Sequence, residues 1–192
     1  TAAPYGAPNL YRFASREWIA DVLHHERVAG DDMFGRTIHA EGDMVTFVQD
    51  ELAELDEEQQ QQLDVIVKAL SAEAQLSYQA EADHRDRELI EQGVAAFAEA
   101  IDGTACLDCH NYQDEGGDAA PDLTGYGSYD WLHAFIANPE HGRFYGENND
   151  RMPAFQQYPD ATDKNRLSAK ELDLLVRWLR HDDKLLHVSG EQ

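Results

Sequence analysis

The chain has 192 residues, of which 42% are hydrophobic, and its 15 basic and 38 acidic side chains give a formal net charge of −23. Nucleic acids and anionic membrane surfaces are therefore poor partners, because both are polyanions. No apolar run approaches the roughly 20 residues that a transmembrane helix needs. The spread of acidic residues fits either docking on a basic partner protein, which salt would weaken, or adaptation to high salt.

Two amphipathic helices are predicted in the first half of the chain. Ser15 has a side chain suited to capping a helix over residues 16–23, and Asp56 is expected to cap a second helix over residues 57–70. The polar segment 71–87 is expected to continue as an exposed helical connector. No stretch alternates as a strand does, so the sequence predicts an all-α fold.

The second half is predicted to hold two further helices with a distinctive segment between them. Apolar residues recur at helical spacing over residues 87–101, which then lead directly into Cys106-Leu107-Asp108-Cys109-His110. A closing apolar helix is predicted over residues 169–180. The long irregular stretches between these helices would be unusual unless a bound group gives them a surface to pack on.

The segment Cys106-Leu107-Asp108-Cys109-His110 has the spacing at which two thiols add to the vinyl groups of a haem. The following imidazole then ligates the iron. A Cys-x-x-Cys pair is also used in redox disulfides and in zinc sites. A thioredoxin-like site needs a βαβ unit, which the pattern does not show, and structural zinc needs four ligands, whereas the chain has no second cysteine pair. The motif therefore favours one covalent haem c.

The segments that follow the motif extend this interpretation. Residues 120–125 read Ala-Pro-Asp-Leu-Thr-Gly, and residues 148–155 read Asn-Asn-Asp-Arg-Met-Pro-Ala-Phe, before the closing helix. In this order, the segments over about residues 85–183 resemble a class I c-type cytochrome domain. The resemblance implies a haem-binding, all-α domain that transfers single electrons and is not itself an enzyme.

The resemblance also implies roles for individual residues. Cys106 and Cys109 would form the thioethers, and His110 would be the proximal iron ligand. The carbonyl group of Pro121 would accept the second imidazole N–H, which fixes the ring and tunes the iron. Leu123 would contact the haem.

Met152 would be the distal iron ligand, because it lies in a polar loop and not on an apolar stripe, although methionine is a common core residue. A filled sixth position argues against oxygen or peroxide chemistry. The other candidate ligands lie outside that loop and are expected to be surface histidines: His133, His141, His181 and His187. The resemblance further implies that Gly93 lets the first helix of the domain cross the last, with Phe97 near Trp178.

An internal repeat is a second feature of the sequence. Residues 7–19 match residues 120–132 at a constant offset of 113, and residues 63–70 match residues 172–179 without a gap. We interpret the chain as two tandem cytochrome-like units: 1–72, lacking the attachment motif, a connector 73–87, and the haem unit 88–192. The counterpart of His110 would fall before Thr1, so the first unit is expected to be a haemless remnant or part of a dihaem ancestor.

The first unit has candidate ligands of its own. Met44 occupies the position that matches Met152, but it has no covalent haem to face and is expected to be a core residue. His24, His25 and His39 could ligate a metal or a non-covalent haem, although their spacing matches no specific motif.

The first-unit blocks around residues 10–18, 41–45 and 70–74 resemble the cytochrome c portion associated with, or fused to, bacterial cytochrome b of quinol-oxidising complexes. This resemblance implies electron transfer from such a complex to a terminal acceptor, in the periplasm or another extracytoplasmic space. Because residues 1–6 carry no signal segment, a leader or membrane segment is expected to have preceded them. The alternatives are a peroxidase-like haem enzyme or a gas-sensing haem protein, if the distal methionine is not bound.

Overall fold

The structure is a computed structural model that describes residues 8–182. Within that range the chain is mainly helical, and one small hairpin is its only regular strand pairing. The helices are α1 (Arg16–Val22), α2 (Asp43–Asp50), α3 (Glu57–Glu73), α4 (Ala80–Arg85), α5 (Arg87–Ala96), α6 (Cys106–Cys109), α7 (Tyr129–Ala137) and α8 (Ala169–Leu179). Short 3-10 turns span Ile38–Glu41, Gly146–Asn148 and Thr162–Lys164. None of the helices in residues 8–182 has the length and apolar character to cross a membrane.

The predicted helix starts are confirmed. The side chain of Ser15 accepts a hydrogen bond from the N–H of Trp18 at the start of α1. The Asp56 side chain caps α3 by accepting hydrogen bonds from the N–H groups of Glu58 and Gln59. The Gln59 side chain accepts a hydrogen bond from the N–H of Asp56, which completes a capping box. The helix ends differ from the prediction, since α3 continues to Glu73 and α5 stops at Ala96.

The expectation that the chain has no strands is wrong at one place. Strand β1 (Asn111–Tyr112) pairs antiparallel with β2 (Glu115–Gly116). Gln113 and Asp114 connect them with φ values of 53° and 66°. Two successive left-handed residues form the tight turn that matches the twist of a hairpin, and no alternating apolar pattern is needed for so short a pair.

Buried side chains form two clusters, and each of them takes residues from both halves of the chain. The aromatic cluster holds Phe13, Ala14, Ile19, Ala74, Leu76, Trp131, Leu132, Phe135, Ile136, Phe144, Leu172, Val176 and Leu179. The cysteine-side cluster holds Val28, Val45, Val48, Leu52, Ile66, Ala69, Ala96, Phe97, Ile101, Tyr112 and Leu123. Within residues 8–182, neither half of the chain therefore has a core of its own.

Helix α5 packs along α3, and the crossing point is Gly93. A Cβ atom at Gly93 would lie 2.0 Å from the carbonyl oxygen of Val65 and 2.7 Å from Cβ of Ala69. The expectation that Gly93 lets this helix cross the last helix is therefore wrong, because the close approach is to α3.

The expected neighbour of Phe97 is also different. Phe97 packs edge-on against Tyr112, with ring centroids 5.0 Å apart, within the cysteine-side cluster. Trp178 lies on α8, is 52% exposed and contacts Tyr11. The two rings are separated because α8 packs against α7 and not against α5.

The connector is more closely packed than the sequence predicted. Its one complete helix is α4, between the end of α3 and the start of α5. Ala74, Leu76 and Gln79 are buried, so the expectation of an exposed helical segment is wrong for its first part. Arg16 of α1 forms ion pairs with Asp83, at 2.7 Å, and with Asp86. The connector is thus held against the first helix.

Two matched turns of the proposed repeat touch each other. A Cβ atom at Gly127 would lie 2.1 Å from Cβ of Ala14, its counterpart at the offset of 113. The rings of Phe13 and Tyr126, which match at the same offset, lie 5.1 Å apart. Contact between counterparts is what a local two-fold relation between the turns produces.

Arg180, only 4% exposed, ties the end of α8 to this contact. Its guanidinium donates to the carbonyl oxygens of Gly127 at 2.5 Å and Ala74 at 2.7 Å, and it pairs with Asp182 at 2.8 Å. A buried charge is tolerated where partners surround it, as they do here.

Replacing Gly93 with alanine should destabilise the protein by about 1–3 kcal/mol, because the added methyl group would force α5 away from the backbone of α3. Urea unfolding followed by circular dichroism measures the change. Gly142→Ala is the control, because nothing lies within 4 Å of a Cβ atom at that position. Equal unfolding free energies for the two variants would contradict the close crossing.

Candidate haem-attachment site

The two cysteines lie on the short helix α6. Asp108 starts this helix by accepting a hydrogen bond from the N–H of Ala105 at 2.8 Å. The N–H of Leu107 donates to the carbonyl oxygen of Phe97 at 3.1 Å, which fixes α6 to the end of α5. Cys106 and Cys109 are not joined by a disulfide, and both are partly accessible. The helix therefore presents two free thiols from one turn.

His110 directly follows α6, and its orientation is fixed by one hydrogen bond. Its Nδ1 lies 2.7 Å from the carbonyl oxygen of Pro121, which leaves Nε2 as the nitrogen available to a metal. Burial lowers the pKa of His110, and the bond to Pro121 opposes that shift. The neutral imidazole, the form that ligates iron, is thus favoured.

Two glycines close the backbone around this turn. The N–H of Gly117 donates to the carbonyl oxygens of Leu107 at 2.8 Å and His110 at 3.1 Å. Gly116 has a φ of 103°, and a Cβ atom there would lie 2.3 Å from the carbonyl oxygen of His110. The sequence analysis missed both residues, although a Gly-Gly pair shortly after the motif is a signal of close backbone approach.

Burial raises the pKa of the Cys106 thiol to about 11. The thiol therefore stays protonated near neutral pH, and Cys106 is a poor spontaneous nucleophile. This behaviour differs from that of redox-active cysteine pairs, in which one pKa is lowered.

The donor set fits a covalently bound haem. Two free thiols and an imidazole with one free nitrogen lie within a single turn and the residue after it. Leu123 is buried in the cysteine-side cluster, and its N–H donates to the carbonyl oxygen of Asn111 at 2.8 Å. Cys106 and Leu107 pack against the same cluster, which gives an apolar wall beside the thiols.

Glu73, from the end of α3, is a residue that the sequence analysis did not identify. Its carboxylate accepts from the hydroxyl group of Tyr112 at 2.8 Å and from the N–H of Gly125 at 2.6 Å. These bonds join the first half of the chain to both sides of the loop that carries Pro121. Burial, followed by the bond to Glu73, raises the pKa of Tyr112 to about 12.

The structure places the two candidate methionines in different surroundings. Met152 is partly buried and packs against the aromatic cluster, and its carbonyl oxygen accepts from the side chain of Asn149 at 2.9 Å. Met44, in the first turn of α2, packs against the cysteine-side cluster.

The histidines weighed as rival ligands make other contacts. His133 lies beside Tyr129, and His181 beside Tyr11. His141 accepts a hydrogen bond from the N–H of Arg143 at 3.2 Å. His187 lies outside the described residues.

The histidines of the first half do not gather either. His24 stacks on His25, whereas His39 stacks on Tyr145. Within residues 8–182 no group of three or more His, Cys, Asp or Glu side chains could hold a metal ion.

The burial of Tyr112, together with its bond to Glu73, should make the stability of the protein depend on pH in the alkaline range. Because the pKa of Tyr112 is raised in the folded state, its stabilising contribution is present below pH 10 and is lost as the pH rises to about 12. Tyr112→Phe should flatten this part of the curve of unfolding free energy against pH. Denaturant titrations at several pH values measure it, and Tyr158→Phe is the exposed control. A variant curve as steep as that of the parent protein would contradict the assignment.

Gly116→Ala should destabilise the turn that holds His110 by about 1–3 kcal/mol, and it should lower the yield of protein with covalent haem. Gly103→Ala is a matched control, since its φ is 112° but nothing lies within 4 Å of a Cβ atom there. The two variants share the backbone strain, so the excess effect at Gly116 reports the clash with His110. An equal yield of haem-containing protein from the two variants would show that the close approach of Gly116 to His110 does not matter for haem attachment.

A sequence model of the cytochrome c family matches residues 90–182. Searches of curated proteins and of solved structures find no match. The matched segment contains both cysteines, His110, Pro121 and Met152. It also begins within α5 and ends just after α8. Over residues 90–182 this chain is therefore similar to the cytochrome c family, whose members bind haem covalently and transfer electrons.

Proposed function

We propose that this protein carries single electrons on one covalent haem, attached through Cys106 and Cys109 and ligated by His110 and a methionine. The observation that carries the proposal is the 2.7 Å contact between Nδ1 of His110 and the carbonyl oxygen of Pro121. That contact uses one ring nitrogen and leaves the other for iron, and it makes the imidazole a stronger donor.

The haem, when bound, supplies the one-electron change between ferric and ferrous iron. The residues of this chain then have three tasks. Cys106 and Cys109 would hold the porphyrin as thioethers, and His110 would ligate the iron with its ring orientation fixed by Pro121. The apolar wall that includes Leu123 keeps water from one side of the site, which together with a thioether ligand raises the reduction potential.

A methionine ligand would occupy the sixth coordination position of the iron and so keep oxygen and peroxide from binding there. Met152 is the candidate that the resemblance implies, and its partly buried side chain lies just before Pro153 in an irregular loop. Such a site suits electron transfer, because the same two ligands serve both oxidation states. A peroxidase-like enzyme or a gas sensor would instead need an open or easily opened position.

The proposal includes a tandem origin for the chain, in which residues 1–72 form a first cytochrome-like unit without its own attachment motif. Matched hydrogen bonds support it. The indole N–H of Trp18 donates to the backbone carbonyl oxygen of Asn9 at 2.9 Å. The indole N–H of Trp131 donates to the backbone carbonyl oxygen of Asp122 at 3.0 Å. Both pairs are related by the offset of 113.

Matched ion pairs on the last helices of the two proposed units add to this support. Lys68 pairs with Asp64 on α3, and Arg177 pairs with Asp173 at 2.9 Å on α8. Each pair joins residues four apart, at equivalent places in the matched segments.

We further propose that the protein receives electrons from a quinol-oxidising cytochrome b complex outside the cytoplasm and passes them to a terminal acceptor. The sequence resemblance of the first unit supports this role. The net charge of −23 would steer the protein to a basic docking face, and salt should slow the exchange.

Optical spectra of the purified protein test the proposal. One haem per chain that stays bound after denaturation, a low-spin ferrous spectrum, a methionine–iron band in the ferric state and no shift with carbon monoxide are expected. Cys106→Ala should leave at most one thioether, and His110→Ala should give a high-spin spectrum or no holoprotein. A native protein that binds carbon monoxide readily or turns over peroxide would instead favour the sensor or the enzyme.

A further inference from the structure

We infer that the sixth iron ligand is Met44, from the first half of the chain, and not Met152. The inference rests on the proposed haem site, and it identifies the methionine that would be the second protein ligand of the iron. It also predicts that the haem is held between the two halves of the chain, although the family match covers only residues 90–182.

The first observation is the packing of the two methionines. Met44 packs against the cysteine-side cluster, as Cys106 and Leu107 do. Met152 packs against the aromatic cluster, to which no residue of the attachment motif belongs. Met44 is therefore the methionine that shares a cluster with the cysteines that would hold the porphyrin.

The second observation is that the attachment motif is fixed to the segment that includes Met44. Helix α5, which leads into the cysteines, crosses α3 at Gly93. The hydroxyl group of Thr104 donates to Glu51, directly after α2, at 3.1 Å. Val45 and Val48, which lie three residues apart on α2, are buried in the cysteine-side cluster. The motif, α2 and α3 therefore contribute side chains to one buried cluster.

The third observation is the path of the chain beyond Gly127. At the contact between Ala14 and Gly127 the second half passes into the aromatic cluster, where Trp131, Phe135 and Leu172 are buried. The segment with Met152 follows this path, since the N–H of Phe155 donates to the carbonyl oxygen of Ile136 at 3.3 Å. The side chain of Met152 thus packs with the cluster of α7 and α8, although Asp150 and Arg151 just before it bond to Ile38 and to the carbonyl oxygen of Arg36.

Other donors near the cysteines are already used or unsuited. The hydroxyl group of Tyr112 is bonded to Glu73. Burial raises the pKa of Tyr126 well above its usual value, so its hydroxyl group keeps its proton. Within the described residues of the cysteine-side cluster, Met44 is the soft neutral donor that remains besides the motif itself. The unbranched thioether side chain can adjust to the iron.

The experiment replaces each of the three methionines of the chain by leucine, which keeps the volume. Met44→Leu should abolish the methionine–iron band, allow carbon monoxide to bind the ferrous haem and lower the reduction potential. Met152→Leu and Met33→Leu should keep the band and exclude carbon monoxide. Met44→His should restore a low-spin spectrum without the methionine band, which a purely structural role of Met44 would not produce.

The other outcomes distinguish the inference from the proposed function. Loss of the band in Met152→Leu alone would overturn the inference and leave the His/Met carrier in place. Retention of the band in Met44→Leu and in Met152→Leu would also overturn it. Absence of any methionine band from the parent protein would overturn both the axial methionine of the proposed function and the inference.

Discussion

The close crossing of α5 over α3 is the constraint on which the rest of the structure depends. It brings the backbone at Gly93 against Val65 and Ala69, where no side chain could be inserted. Because α6, which carries the cysteines, is bonded to Phe97 at the end of α5, the helix that α5 crosses decides which half of the chain lies beside the attachment motif. Since α5 crosses α3, the first half of the chain lies beside the cysteines.

The sequence contains a reason for this choice. The matched segments 63–70 and 172–179 put Ala69 where α8 has Trp178, and Val65 where α8 has Leu174. A glycine crossing needs small residues opposite it, and Ala69 is smaller than Trp178. In agreement, Trp178 and Leu174 are 52% and 39% exposed, whereas Ala69 is buried. Apolar periodicity alone could not separate α3 from α8, because both have it.

Local features of the site could be predicted from the sequence, and tertiary ones could not. The helix caps at Ser15 and Asp56 depend on short stretches with strong preferences. The contact between His110 and Pro121 is expected from the family resemblance. The roles of Glu73 and Gly116 depend on distant partners or on exact backbone approach. A single acidic residue among 38 acidic side chains gives no sign that it accepts two hydrogen bonds across the fold.

The two matched turns show how similar local structure leads to different surroundings. Ser15 and Ser128 cap their helices in the same way, each accepting from the N–H of a tryptophan. Yet the first half provides α2 and α3 to the cysteine-side cluster, whereas α7 and α8 contribute to the aromatic cluster. The family match at residues 90–182 therefore marks a continuous sequence and not an independent core. Since the attachment motif packs against residues that precede this match, the surroundings of the motif depend on both halves of the chain.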